Sequence, residues 1–207
     1  MGFYDRHILP HLVHLACSSR SAMRQRAEIV PRAHGRVLEI GFGSGLNLPH
    51  YDPARVDAVL GLDPAAEMHA KTAGAVAAAP FAVELIEAPA DRIPLEDASV
   101  DTVLSTYTFC TIPDTAAALA EVRRVLKPGG ELLFCEHGRA PGRWAQRQQD
   151  FLNPLWRRVG GGCNLNRRIP ELLEAGGFQV RELDARYLPG WGPAAFNYRG
   201  SAAPRQA

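Results

Sequence analysis

The sequence carries almost no excess charge of either sign. Its 207 residues include 23 lysines and arginines against 22 aspartates and glutamates, a formal net charge of +1. Nucleic-acid binders show a basic stripe, and none is present. The pairs Arg157-Arg158 and Arg167-Arg168 read as solvated helix faces. Cysteine is scarce as well. Four stand at positions 17, 110, 135 and 163 with no CxxC pair, which argues against a zinc knuckle and a secreted disulfide framework. They read as reduced thiols, mostly buried, in a reducing cytoplasm, and no metal site is expected. No run of about 18 apolar residues exists to span a membrane. His7, His11, His14 and the charges scattered between Met1 and Arg26 do not suit a signal peptide. Internal repeats and low-complexity tracts are absent too.

What is there suits one α/β domain, 46% hydrophobic and long enough to bury a substantial core. Residues 1–34 read as a helical cap or lid, interrupted near Pro10 and closed by Pro31, with Ile8, Leu12 and Leu15 on one face. Such a face either covers its own domain, the commoner outcome, or lies weakly on a lipid surface. Residues 35–200 hold the domain proper. Strands are expected at 36–40, 58–62, 81–87, 100–106 and 131–136. Helices are expected at 64–79 and from Asp114 or Thr115 to Lys127, with Leu119, Val122 and Leu126 facing inward. A short helix at 169–175 and strands at 178–188 and 194–199 follow, and residues 201–207 read as a loose tail. Strand and helix alternating five times predicts a doubly wound α/β fold, a mostly parallel seven-stranded sheet covered on both faces. Only a Pro-Gly-Trp-Gly-Pro turn separates the last two strands, so an antiparallel C-terminal hairpin is expected at that edge.

The most informative stretch is Glu39-Ile40-Gly41-Phe42-Gly43-Ser44-Gly45, expected to follow a strand and precede a helix as a nucleotide-binding turn does. Gly41 and Gly43 let the backbone turn tightly and approach a ligand. Asp63 ends the second strand, where a carboxylate accepts from both hydroxyls of a ribose. A dinucleotide dehydrogenase shares these two features. Its GxGxxG fingerprint, however, requires glycine at 46, where Leu46 stands, and the third glycine comes at 45. Glu39 would also repel a pyrophosphate and attract a cation.

With GLDP, IPLEDASVDTVLST and EVRRVLKPGGELLFCE, the segment VLEIGFGSG gives residues 36–137 a resemblance to the class I S-adenosylmethionine-dependent methyltransferases. The resemblance implies a Rossmann-like sheet, S-adenosylmethionine as methyl donor and S-adenosylhomocysteine as product. It implies that Glu39 and the loop of Gly41, Phe42, Gly43 and Gly45 hold the methionine part, and that Asp63 with Pro64 holds the ribose. The backbone at Ala90, with Asp91 nearby, would meet the adenine, and Thr106 and Tyr107 would flank the transferring methyl. Many relatives place Asp where Pro89 stands, to accept from the adenine amino group. Proline cannot do so, and Asp91 or a backbone carbonyl must substitute.

Past residue 135, Glu136-His137, Trp144, Gln148, Leu152, Pro154, Trp156 and Gly162-Cys163-Asn164-Leu165 followed by Arg167 resemble the methyltransferase-like seven family. Members are alkyl thiol methyltransferases, some held on membranes by an N-terminal apolar helix, an anchor not expected here. The resemblance implies a small lipophilic acceptor, a thiol, near Tyr4, Cys110, Trp156, Cys163 and Asn164. A thiol, with a pKa of about 8.5, needs only slight activation, whereas a phenol near about 10 needs more. His137, on the carboxyl edge past the fifth strand, is the expected catalytic base; otherwise it caps the strand or bonds a backbone carbonyl. Cys110 and Cys163 read as structural or pocket-lining, because methyl transfer requires neither a nucleophilic thiol nor a metal. Trp144, Phe151, Trp156 and Trp191 either wall an apolar pocket or belong to the core. Tyr4 either folds over the cofactor or packs its helix. Two alternatives stand beside thiol methylation: N- or O-methylation of a phospholipid amine or phenolic quinone precursor, and a non-catalytic cofactor-binding partner subunit.

Overall fold

The computed structural model describes Tyr4, residues 8–190 and residues 192–205. Its strands are β1 Gly35–Ile40, β2 Val56–Leu62, β3 Ala82–Ile86, β4 Val100–Thr106, β5 Leu126–His137, β6 Phe178–Tyr187 and β7 Phe196–Pro204. Its α-helices are α1 Leu9–Cys17, α2 Arg20–Ile29, α3 Ala66–Ala78, α4 Thr115–Val125, α5 Arg143–Val159 and α6 Ile169–Ala175. The strands form one sheet in the order β3-β2-β1-β4-β5-β7-β6. The first five pair in parallel, and β7 runs antiparallel between β5 and β6. This is the doubly wound, mostly parallel sheet with an antiparallel C-terminal hairpin that the sequence predicts.

The middle strands are apolar because both of their faces are covered. Leu38, Leu60, Val103 and Leu132 point to one face, where Leu119 and Val122 of α4 and Leu173 of α6 meet them. Val37, Val59, Leu104 and Leu133 point to the other, against Ala22 and Ile29 of α2. Asp114 caps α4 by accepting from the Ala117 amide at 2.9 Å, which satisfies one of the helix's open donors.

Several local expectations need correction. The turn of Gly41–Gly45 leads into a single 3-10 turn, Leu48–His50, and not into a helix. Pro49 and Pro53 follow closely, and each lacks the N–H that a helix interior needs. Pro89 and Pro94 likewise keep the β3–β4 connection irregular, so helix and strand alternate less regularly than five times. Residues 201–204, read as loose tail, continue β7. Ser201 and Ala202 are buried and paired with β5 on one side and β6 on the other. A strand placed between two others cannot fray as a terminus does.

The helix α5 is absent from the sequence reading, and its amphipathicity explains why. Its polar side faces the protein: Gln149 is its one buried residue. The Gln149 side chain accepts from the Ala140 amide at 2.9 Å and donates to the carbonyls of Gly138, Leu165 and Pro193. Its apolar side faces outward, with Trp144 72% and Phe151 83% exposed and Leu155 and Val159 exposed beside them. Ile8, Leu12 and Leu15 of the N-terminal segment are exposed too, so this face does not cover its own domain. Among the described residues, no helix is long and apolar enough to cross a membrane.

Candidate active site

The strand order reverses between β1 and β4, and ligands of open α/β sheets bind outside the carboxyl ends of the strands at such a point. There β1 enters the glycine turn, in which Gly41, Gly43 and Gly45 have φ of +69, +56 and +72. A Cβ at Gly41 would stand 2.2 Å from Thr108 Oγ1, so only glycine fits. Asp63, just past β2, accepts from the Gly43 amide at 2.8 Å and the Ala65 amide at 2.9 Å, one on each oxygen. Each oxygen keeps a lone pair for a ribose hydroxyl. Phe42 turns inward: a Cβ at Gly61 would lie 2.6 Å from its ring, so only the Phe42 backbone faces a ligand. Pro64 and Asp91 are exposed and Ala90 is buried. The Ala90–Asp91 loop is steadied from α4. Arg124 donates to the carbonyls of Ile93 at 2.8 Å and Leu95 at 2.7 Å, and Glu121 accepts from the Ile93 amide.

Beneath the glycine turn lies a buried polar network. Glu39, 1% exposed, accepts from Asn47 Nδ2 at 2.9 Å and from the Tyr51 hydroxyl at 2.7 Å. Arg26 donates to Asn47 Oδ1 at 2.6 Å and to Thr106 Oγ1 at 2.5 Å, and it lies 5.4 Å over the Tyr107 ring. Burial pushes the Glu39 carboxyl up to about 7, against the pull of Tyr51, Arg26 and Asn47. Both Glu39 oxygens are engaged within the protein, one with Asn47 and the other with Tyr51, which holds these two side chains in place. The sequence reading missed Arg26. A signal existed, since Arg26 falls in line with the buried Ala22 and Ile29 of α2.

The other half of the edge is built from β4 and β5. Tyr107 has φ +57, a left-handed conformation rare for a residue with a bulky side chain. Glu136 holds that turn: its Oε1 accepts from Ser105 Oγ at 2.8 Å and from the amides of Thr108 at 3.0 Å and Phe109 at 3.1 Å. Glu136 is fully buried, which raises its carboxyl, and its Oε2 has no hydrogen-bond partner among the described residues.

Next to it, three residues that the sequence scatters come together. His137 Nε2 stands 3.1 Å from Cys163 Sγ, and Trp156 Nε1 donates to the same sulfur at 3.3 Å. Cys110 completes the group, and its sulfur, that of Cys163 and a His137 ring nitrogen lie within 4.8 Å of one another. Hydrogen bonding from Cys110, then from His137 and Trp156, pulls the Cys163 thiol far below its usual range although burial opposes it. Burial alone would lower His137, but its bond to Cys163 and the nearby Glu136 carry it above its usual value. Asn164 does not face this group directly. Its amide and its side chain both donate to the Cys110 carbonyl at 2.9 Å, clamping the two loops together. Trp144 and Phe151 wall no pocket, being exposed on α5, and Trp191 lies outside the described residues.

The N-terminal segment is tied to the glycine turn and to α5 by hydrogen bonds. His14 Nδ1 meets Ser44 Oγ at 2.7 Å on the glycine turn, and the Tyr4 hydroxyl donates to the Val159 carbonyl at 2.6 Å. The residues present therefore fit S-adenosylmethionine: a diol acceptor at Asp63, a side-chain-free turn at Gly41, and a buried carboxylate for the cationic end.

Similarity to known proteins identifies the family and the fold. A methyltransferase domain model matches residues 38–134. The chain is 34% identical over 175 residues to the human thiol S-methyltransferase TMT1B, covering 82% of this chain and 72% of that protein. It is 32% identical over 158 residues to human thiol S-methyltransferase TMT1A, covering 74% of this chain and 64% of that protein. The fold matches that of an S-adenosylmethionine-dependent methyltransferase from Thermotoga maritima with a TM-score of 0.68, over 96% of this chain and 99% of that one, at 22% identity.

The raised Glu39 carboxyl gives a pH test. The folded chain binds this proton more tightly than the unfolded chain, so the stability it contributes is full below 4.5 and fades as pH rises through about 7. Glu39→Gln carries no such dependence. The ligand-free variant should gain on wild type by about 3 kcal/mol between pH about 4.5 and about 8, as measured by denaturant unfolding. Parallel stability profiles would contradict the burial account.

Proposed function

The chain belongs to the class I S-adenosylmethionine-dependent methyltransferases, in the family of the TMT1 thiol S-methyltransferases, and from that premise we propose that it S-methylates a small lipophilic thiol at the carboxyl edge of β4 and β5. One observation carries the choice of acceptor: the edge presents sulfur and imidazole, Cys163 against His137, with Cys110 Sγ 3.6 Å from the carbonyl of Tyr107. A sulfur acceptor belongs where sulfur is already accommodated and its charge is already answered.

When bound, S-adenosylmethionine supplies a methyl group on a sulfonium, and its departure as a neutral thioether requires no acid. The chain's residues bind, align and shield. Asp63 and the Gly41–Gly45 turn hold the ribose and methionine ends, and the loop at Ala90–Asp91 takes the adenine. Thr106 and Tyr107 flank the methyl. The segment carrying Tyr4 and His14 closes the edge, which favours alignment and excludes water. In the protein as it stands, the acceptor's proton passes to the Cys163–His137 pair, whose sulfur and Nε2 are 3.1 Å apart. The four free cysteines support a reducing, cytoplasmic setting.

A weak contact with a lipid surface accompanies this reading. The exposed Ile8, Leu12 and Leu15 near the N-terminus and Trp144, Phe151 and Leu155 on α5 form apolar surface of the kind that lies on membranes. Tyr4 ties the two segments together. Wild type should co-sediment with anionic phospholipid vesicles, and Phe151→Ser with Leu155→Ser should release it. Equal pelleting of both proteins, or of neither, would remove the contact.

The acceptor is tested by methyl transfer to a panel of an alkyl thiol, a phenol and a primary amine. The thiol should be methylated, and His137→Ala should lower kcat at least tenfold while S-adenosylhomocysteine affinity stays within twofold. Turnover of the phenol or amine alone would move the acceptor to the quinone-precursor or phospholipid class. Cofactor binding without any turnover would favour a partner subunit.

A further inference from the structure

Within the described residues, the Cys110, His137 and Cys163 side chains form a cluster whose donor set suits more than proton transfer. We propose that Cys110 Sγ, Cys163 Sγ and His137 Nε2 are three ligands of a zinc ion whose fourth position is open to the acceptor thiol. Zinc–sulfur and zinc–nitrogen bonds of about 2.3 and 2.0 Å place tetrahedral ligands about 3.5–3.8 Å apart. Here the histidine nitrogen and Cys163 sulfur are 3.1 Å apart and all three ligand atoms lie within 4.8 Å of one another. Side-chain shifts of about 1 Å seat the ion.

The surroundings favour this arrangement. Cys110 and His137 are buried, and the Cys163 turn follows Gly161 and Gly162, at φ +60 and +87, whose freedom lets that loop adjust. Asn164 binds the Cys110 carbonyl twice and so fixes the two cysteine loops against each other. Trp156 donates to the Cys163 sulfur at 3.3 Å, the kind of outer contact that orients a metal-bound thiolate. Two sulfurs and one imidazole select a thiophilic ion over magnesium or calcium. Among the described residues three protein donors converge, the number that leaves a tetrahedral ion one position for a further ligand.

The proposal rests on the thiol reading for what fills the fourth position. The acceptor's S–H bond breaks, its proton leaves to solvent, and the sulfur binds the zinc in place of water. That sulfur then forms a bond to the methyl carbon, while the carbon–sulfur bond of the sulfonium breaks and its electron pair stays on the departing thioether. The methylated product, a neutral thioether, is a weak ligand and dissociates. In the loaded protein the ion keeps the acceptor anionic, and His137 is a ligand.

Cobalt(II) titration of the full-length, fully reduced chain in a non-chelating reductant tests this. One equivalent should bind and give the near-ultraviolet thiolate-to-cobalt band and the visible bands of a tetrahedral site, and zinc should displace it. Cys110→Ser and Cys163→Ser should each lose the band, and Cys17→Ala should keep it. An alkyl thiol should shift the band. No thiolate band in wild type, or a band that survives the double Cys110→Ser and Cys163→Ser change, overturns the metal site whatever the acceptor is. A band unmoved by thiol, in a protein that methylates thiols, overturns the open position. A cobalt site in a protein that methylates only phenols or amines refutes the acceptor and leaves the metal.

Discussion

Burying the carboxylates of Glu39 and Glu136 costs several kcal/mol each unless donors converge on them, and much of the site is the set of donors that do. Asn47 and Tyr51 converge on Glu39, and Arg26 arrives from α2 to complete the group. Ser105 and the amides of Thr108 and Phe109 converge on Glu136. Each set of bonds also fixes a loop. The first positions the floor below the glycine turn. The second holds the left-handed Tyr107 at the end of β4. The two carboxylates flank the point where the strand order reverses, so the same desolvation problem shapes both sides of that edge.

Around that centre, hydrogen bonds take over from apolar packing as the means of attachment. The helix α5 docks through Gln149 and through the Arg139–Asp150 ion pair at 2.8 Å, while its Trp144, Phe151 and Leu155 look outward. Arg167 ties the segment after Cys163 to the carbonyls of Phe109 and Ile112. Such attachments specify geometry more tightly than they stabilise, because a neutral hydrogen bond or a part-exposed ion pair nets only about 1 kcal/mol and a bond from a charged donor about 1.5–3. They hold Cys163 against His137 and leave the apolar side of α5 exposed.

The legible parts of the sequence were those governed by local rules. Val37, Leu38 and Ile40 announce a strand covered on both faces, and Gly41 and Gly43 announce a turn needing positive φ. Asp63 announces a carboxylate at the end of the second strand, where the structure places it against the Gly43 amide. What stayed hidden depends on long-range placement. Cys110, His137 and Cys163 are far apart in the chain, and only the loops after β4, β5 and α5 unite them. Arg26 sits on a helix where arginine usually meets solvent. The α5 segment misleads because periodicity is normally read with the apolar side inward, and here that side points out. The end of β7 misleads because Ser201, Ala202 and Ala203 look like a tail until β5 and β6 are seen on either side.

The central claim is that one edge, organised by Glu39 and Glu136, receives both the cofactor and the acceptor. Amide hydrogen exchange with and without S-adenosylhomocysteine measures it most directly. The account predicts slowed exchange at 41–45, 63–65 and 106–109, with a smaller effect at 136–138 and none along β6. Protection confined to β6 or to the outer face of α5, or none anywhere at saturating ligand, would contradict it.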